Sequence, residues 1–491
     1  MQWPNRAVRA AVLSLTLLTL TTLHLAASGS RRFFPKHGLL NSIGSAGSMI
    51  IQQGFPFVTM EECDTGLPRH FTHFPKGLTH PGACGSPNSF ESCQTCAPGW
   101  TPPCCQHRVL VDLCTAVGCL NTSRCSLGPL GEPARFHVYE VPNWAKESTF
   151  SPGGLFNGMM ADLKLHPQHT SNPDEACIFV PWIDTLCEGN GCLDTWTRTL
   201  KVDSMGKLFR KLSHWDDGRN HLILIQNDAS EPMLPAEKAI FVAAPMWNVG
   251  GYRPGYDIAA PLWDRSSLGS GGPPSQKVRL NSTRPILLGY KGQLGWFDVH
   301  SAPQLVREWF DSSGRAQSDG NLRNLQEDWI RMKATQLHNG EDVISVGYCT
   351  GMGGMQLNEE TCKEHKSRAD KWDYKELLSS AEFGLILPGI SPMSYRLAET
   401  MSYGSIPVVL SDYISLPFPD LIRWREFVVV VAEGQVLEVP DILRRISVDK
   451  RRRMRERVNE VYEKYMASLA KVMLGAMEAF SVRSQIPWIT I

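Results

Sequence analysis

The chain has 491 residues, enough for two or three domains with sizeable cores. Its 49 basic and 49 acidic residues cancel, which excludes a global electrostatic pull towards nucleic acid. Fourteen cysteines fit a protein translocated into an oxidising compartment.

Residues 10–30 carry no Asp, Glu, Lys or Arg, with Arg6 and Arg9 before them and Arg31-Arg32 after. At about 1.5 Å per residue such a helix reaches roughly 30 Å, enough to span a bilayer core. Residues 1–30 therefore read as a cytosolic tip and a signal anchor, with Ala26-Ala27-Ser28-Gly29 offering a signal-peptidase site as the alternative. Residues 31–62 read as a stem. Residues 63–128 are rich in Cys, Pro and Gly and form a disulfide-stapled, loop-rich segment. Nine cysteines lie between Cys63 and Cys125. An odd number implies a partner in the main body or a free thiol. Cys93-Gln-Thr-Cys96 has no second ligand pair to complete a zinc site, so disulfides are the expected chemistry. Farther on, Cys177, Cys187 and Cys192 bracket a loop after a strand, and Cys349 and Cys362 are placed to close another. Asn121-Thr-Ser and Asn281-Ser-Thr are N-glycosylation acceptors if the body is lumenal.

Regular α/β punctuation begins near residue 129. Strands are predicted at 136–139, 176–180, 222–226, 239–243, 285–290 and 342–346, and helices at 200–212, 302–309 and 374–381. Alternation of this kind indicates parallel sheets. Residues 266–275 form a Ser/Gly/Pro-rich surface loop, and residues 454–473 a long terminal helix expected to pack back across the domains. The basic run around Arg444-Arg445 and 450–455, followed by Glu456, Glu460 and Glu463, reads as a solvated helix face.

The most informative stretch is 381–431. Two apolar runs, 383–387 and 406–410, enclose the loop Gly389-Ile390-Ser391-Pro392-Met393-Ser394 and a helical segment, 395–403, which Gly404 ends. A further strand closes the stretch. Strand, small-residue loop and helix N-terminus together can receive an anion. Arg396 stands in the first turn and Glu399 on the same face three residues on. A cation near a phosphate and a carboxylate near sugar hydroxyls suit a nucleotide-sugar. The alternative is a buried βαβ unit whose Arg396–Glu399 pair is only a surface ion pair.

This region resembles the exostosin family of glycosyltransferases. The matching residues are Tyr374-Lys375-Glu376-Leu377-Leu378, Phe383, Leu387-Pro388, Tyr395-Arg396-Leu397-Ala398-Glu399, Ile406-Pro407-Val408-Val409-Leu410-Ser411, Leu416-Pro417-Phe418 and Trp424. Earlier blocks follow the family's order: 174–180, Gly218-Arg219-Asn220-His221, Pro254-Gly255-Tyr256-Asp257, Tyr290-Lys291-Gly292 and 337–343. The resemblance implies an α/β fold of GT-B type, with two Rossmann-like domains facing a cleft, preceded by the membrane anchor and the disulfide-rich segment. It implies an N-terminal, acceptor-side half at 129–330 and a C-terminal, UDP-sugar-binding half at 331–491. The implied activity is inverting transfer of a sugar from a UDP-sugar to a glycan or proteoglycan acceptor. The implied setting is a single-pass type II Golgi membrane protein with a lumenal body. A homo- or hetero-oligomer with another transferase is an implied partnership.

For the chemistry, strand ends in parallel sheets are the expected locations. Arg396 is assigned to phosphate, Glu399 to ribose or sugar hydroxyls, and Ser394 with the Gly389 and Ser391 amides to the loop lining. Lys291 is a candidate to reach the cleft from the N-terminal half. Asp184 and Asp228 are the candidate bases for the acceptor hydroxyl, each with loop capping as its alternative role. His221 reads as a structural histidine. No cofactor beyond the donor and no metal is expected, since the chain holds no Asp-x-Asp. The animal exostosins carry several arginines in the loop matching 389–394; here that loop has no charge and Gln293 replaces a basic residue. Arginine is the favoured bidentate partner of a carboxylate, so a neutral donor such as UDP-galactose or UDP-xylose stands beside UDP-glucuronic acid. A catalytically silent partner subunit or glycan-binding protein is the alternative function.

Overall fold

The computed structural model describes residues 100–101, 107–108, 120–125, 133–143, 153–185, 202–226, 236, 238–244, 257–263, 273–294, 329–349, 359–388, 394–410, 416–484 and 486. The expected anchor, the stem, nearly all of the Cys-rich segment, Cys187, Cys192 and the predicted helix at 302–309 lie outside them. Among the described residues no helix is long and apolar enough to cross a membrane.

Two short strands, β1 (Trp100–Thr101) and β2 (His107–Arg108), pair antiparallel. The first parallel sheet then starts with β3 (Phe136–Val138) beside β4 (Ile178–Val180). It continues through β5 (Leu222–Ile225), β6 (Ile240–Ala243) and β7 (Ile258–Ala259). A parallel bridge between Phe179 and His221 joins the two sets, and the Phe179 amide donates to the Asn220 carbonyl at 2.8 Å. Every residue of these five strands is buried, the mark of a parallel sheet covered on both faces. Helix α1 (Gly154–Lys164) supplies part of that cover with Phe156, Met159, Met160 and Leu163, a stripe at helical spacing. Helix α2 is Val202–Phe209.

After α3 (Gln276–Asn281) comes the second sheet: β8 (Ile286–Gln293), β9 (Val343–Tyr348), β10 (Ala381–Ile386), β11 (Ile406–Leu410) and β12 (Val429–Val431). Its order is β12-β11-β10-β8-β9, parallel throughout. This corrects the sequence reading, which placed the 285–290 strand in the first half. The strand instead sits between β10 and β9, and the second sheet begins at Ile286 rather than after residue 330. Its periodicity showed a strand; the choice of partners depends on contacts far away in sequence. The helices α4 (Glu359–Ala369), α5 (Tyr374–Ser380), α6 (Arg396–Ser402) and α7 (Val439–Arg444) complete this half. Asp373 caps α5 by accepting from the Lys375 and Glu376 amides, both at 2.9 Å. Gly404, at φ +76°, ends α6 in the left-handed conformation that a side chain disfavours.

The single terminal helix expected at 454–473 is two helices, α8 (Val448–Tyr465) and α9 (Leu469–Ser484). The break falls at Met466, whose φ of −129° leaves the helical range. The expected packing across the domains is carried by α9, which lies against α1 and β7 of the first half. From α9, Arg483 pairs with Asp420 and donates to the Asp257 carbonyl at 2.7 Å. Apolar residues of both sheets and of α8 and α9 form one continuous core.

The basic run on α8 is only partly a solvated face. Arg451 and Arg455 are 17% and 12% exposed and turn inward to Glu382 on β10, at 3.9 and 2.9 Å. Arg457 pairs with Glu426 and Glu460, and Arg452 with Asp449. A disulfide joins Cys125 to Cys177, so the odd cysteine of the N-terminal segment has its partner in the main body. Beside it Asn220, buried at φ +60°, accepts from the Asn121 amide at 2.7 Å and donates to the Asn121 and Cys177 carbonyls. Asparagine tolerates that backbone conformation better than most residues. A second disulfide, Cys349–Cys362, closes the segment between β9 and α4.

His221 is fully buried, with Nδ1 on the Arg219 carbonyl at 2.7 Å and Nε2 on the Tyr139 hydroxyl at 3.1 Å. Burial, helped by the nearby charges of His214 and Arg124 and opposed by backbone hydrogen bonds, pushes its pKa down to about 3. The unfolded chain binds this proton near its ordinary pKa of about 6.5, whereas the folded chain does not. Stability is therefore unaffected by this group above about pH 6.5 and declines as pH falls from there towards 3. In a histidine-labelled sample, the His221 imidazole is expected to keep neutral-ring nitrogen shifts down to about pH 4. Titration of that signal near pH 6.5 would contradict the assignment.

Candidate functional site

Three elements of the second sheet converge at its carboxyl edge. Strand β8 brings Tyr290, α5 begins with Tyr374, and α6 begins with Arg396. The Arg396 guanidinium lies 4.8 Å from the centre of the Tyr290 ring and 5.5 Å from that of Tyr374. Its Nη1 points to the Tyr374 hydroxyl at 3.5 Å, and that hydroxyl donates to Glu399 Oε2 at 2.5 Å. Arg396 and Glu399, expected on one face, are thus joined through a phenol. Burial alone would lower the Arg396 pKa. The charges of Tyr374, Tyr290, Glu399 and Tyr348 act the other way, and the net shift is upward, so the group is a permanent cation.

Gly292 shares the Tyr290 face of β8 by strand alternation. A Cβ at this position would stand 2.5 Å from Arg396 Nη2 and 2.5 Å from the Tyr290 hydroxyl, so any side chain here would displace the guanidinium or the phenol. Lys291, on the other face, donates to the Trp372 carbonyl at 2.7 Å. It thus belongs to the second sheet, not the N-terminal half, and its amine secures the turn before α5. Ser394 Oγ accepts from the Arg396 amide at 3.3 Å, a capping contact at the start of α6.

Asp184, after β4, is 2% exposed and its Oδ2 accepts from the Gly153 amide at 3.0 Å, just before α1. This is the loop-capping role. Asp228, Gly389 and Ser391 lie outside the described residues. Arg331, in the helical residues 329–335, was missed by the sequence reading. Its Nε and Nη2 donate to the Pro388 carbonyl at 3.3 and 3.0 Å, at the entrance of the uncharged loop. Nothing local marks Arg331, since its relevance comes from a strand 57 residues away. Among the described residues no three His, Cys, Asp or Glu side chains group as a metal site would need.

The arrangement offers a fixed cation set between the Tyr290 and Tyr374 rings. A carboxylate beside it can accept from hydroxyl groups. Such a pair suits a ligand that carries both phosphate and sugar.

The profile of the exostosin GT47 domain matches residues 130–446. Exostosin-1c of Danio rerio is 27% identical over 377 residues, covering 75% of this chain and 46% of that protein. Exostosin-1 of Pongo abelii is 25% identical over 354 residues, covering 71% and 43%. The Exostosin-1 homolog of Caenorhabditis elegans is 25% identical over 369 residues, covering 72% and 86%. The chain thus spans under half the length of the first two relatives. The crystal structure of the GtfA/B complex is similar at a TM-score of 0.27 and 11% identity, over 67% of this chain and 60% of that one. With its domain matched over well more than half of its length, the chain belongs to the exostosin GT47 family.

Proposed function

We propose that the protein is an inverting glycosyltransferase of GT-B type that moves a sugar from a UDP-sugar to a glycan or proteoglycan acceptor. The observation that supports it most is the linked Arg396–Tyr374–Glu399 group at the carboxyl edge of the second sheet, in a chain of this family. In this reading Arg396 holds the diphosphate and Glu399 accepts from ribose or sugar hydroxyls. Gly389, Ser391 and Ser394 line the loop, and Arg331 adds a cation at its entrance. Asp184 is occupied with the Gly153 amide, which favours Asp228, two residues after Gln226, as the base. The base takes the proton of an acceptor hydroxyl. The acceptor oxygen forms its bond to the anomeric carbon from the face opposite UDP, and the bond to the phosphate oxygen breaks with both electrons leaving on UDP. Arg396 meets the charge that develops there.

Glu399 beside the site would repel a carboxylate, and loop 389–394 has no arginine to receive one. Both points favour a neutral donor sugar over glucuronic acid. The setting we assign is the Golgi membrane, through the residue 10–30 anchor, with a lumenal body and association with another transferase. The uncharged loop also favours a second reading, a silent partner subunit or glycan-binding protein.

Release of UDP across a panel of UDP-sugars, together with calorimetric titration of UDP, tests the proposal. Turnover with one donor and UDP binding are expected; absence of both would sink it, while UDP binding lost in wild type but glycan binding kept would favour the second reading. Arg396→Ala is expected to weaken UDP binding by at least roughly thirty-fold, as removal of a charge-assisted contact should. Gly292→Ala pushes a methyl group into the Arg396 guanidinium. UDP affinity should fall about ten-fold with the far-ultraviolet dichroism spectrum unchanged; full affinity in this variant would show that Arg396 does not hold the donor in the position described.

A further inference from the structure

Among the described residues, a hydrogen bond connects the helix that carries Arg396 and Glu399 to the first sheet. The Tyr395 hydroxyl donates to the main-chain carbonyl of Gln226 at 3.1 Å, across 169 residues of sequence. Both ends of this contact are fixed. Gln226 is fully buried, and its side chain donates to the Pro261 carbonyl at 2.9 Å and accepts from the Trp263 amide at 2.7 Å, which pins the carboxyl end of β5. Tyr395 enters the first turn of α6, where its carbonyl accepts from the Glu399 amide at 3.0 Å, and its ring packs on the common core. Arg396 is the next residue. Two further links between the halves among the described residues do not touch α6: the Phe418 amide donates to the Ala259 carbonyl at 2.8 Å, and Arg483 joins Asp420 to Asp257.

We propose that the Tyr395 hydroxyl is a positioning group that fixes the spacing between α6 and the carboxyl end of β5. It thereby sets a donor held by Arg396 and Glu399 against the carboxyl end of β5. The inference rests on the donor reading above. It assigns Tyr395 no contact with UDP or the sugar. Its contribution is the alignment of two groups carried by different sheets, where small displacements are costly to rate.

Tyr395→Phe removes the hydroxyl and leaves the ring in the core. In the full chain, UDP affinity by calorimetry is expected to stay within about two-fold of wild type, with donor KM changed less than about three-fold. Turnover, read as UDP release, should fall about ten-fold, the signature of an effect on the reacting complex rather than on donor binding. Turnover within two-fold of wild type, or a parallel loss of UDP affinity, would overturn the inference. Amide exchange gives a readout independent of turnover. In wild type, saturating UDP should slow exchange in residues 395–403 and in residues 222–226; in Tyr395→Phe only the first segment should respond. Equal protection of 222–226 in both proteins would also overturn it. A wild-type chain that binds no UDP overturns the donor reading and this inference with it, whereas UDP binding with an unaltered Tyr395→Phe variant removes this inference alone.

Discussion

Both parallel sheets are hidden on their two faces, and that constraint decides where polar chemistry can stand. A strand buried on both sides satisfies its backbone through its neighbours and leaves little room for charge along its length. All five residues of β11 are buried, as are the four of β5. Polar groups are therefore pushed to the strand ends. Arg396, Glu399 and Tyr374 gather at the carboxyl edge of one sheet, and Gln226 and Asp184 follow strands of the other. The same pressure explains Gly292. With the Arg396 guanidinium and the Tyr290 phenol against the end of β8, a side chain at that position would have to push one of them aside.

Two arginines that enter the interior, Arg284 and Arg279, are each held by more than one carbonyl oxygen. Arg284 is 8% exposed and donates to the carbonyls of Leu378, Ala381, Arg279 and Tyr403 and to the Ser405 hydroxyl. Burial, with the repulsion of Arg455, pushes its pKa down to about 9, against the attraction of Glu382. Arg279 binds Asn459, the Pro274 and Ser402 carbonyls and Glu463, and lies over the Tyr462 ring. These two arginines tie α3 and β8 to α5, α6 and α8.

Periodicity shows strands and helices wherever one pattern is strong, and the buried runs that became β4, β5, β6, β10 and β11 are of that kind. Helix α4 was not legible, because Glu359–Ala369 is almost wholly polar and has no apolar stripe to reveal it. What secures it is the Cys349–Cys362 bridge and the buried Ala369, neither of which leaves a periodic trace. The Arg396–Glu399 pair could be read because both residues lie within one helical turn. Tyr290, Tyr374 and Arg331 could not, since each reaches the site from a separate element and only folding brings them together. Lys291 shows the converse limit: a basic residue in the right motif whose strand face sends it to the Trp372 carbonyl. Partner choice within a sheet is similarly silent in a one-dimensional pattern, as the placement of β8 shows.

The crossing of α9 has a consequence for the order in which the molecule can be made. The first half contains β7, the Asp257 carbonyl and the apolar stripe of α1, yet part of what covers them is residue 469 onward. A ribosome delivers the first half more than two hundred residues before that helix. Until then α1 and β7 lack part of their apolar cover, and the Asp257 carbonyl has no guanidinium to accept from. During synthesis this half therefore lacks part of its cover until α9 has been made. It waits, partly exposed, for α9 to close over it, and a chain shortened before Leu469 should be destabilised in its first half although every residue of that half is present.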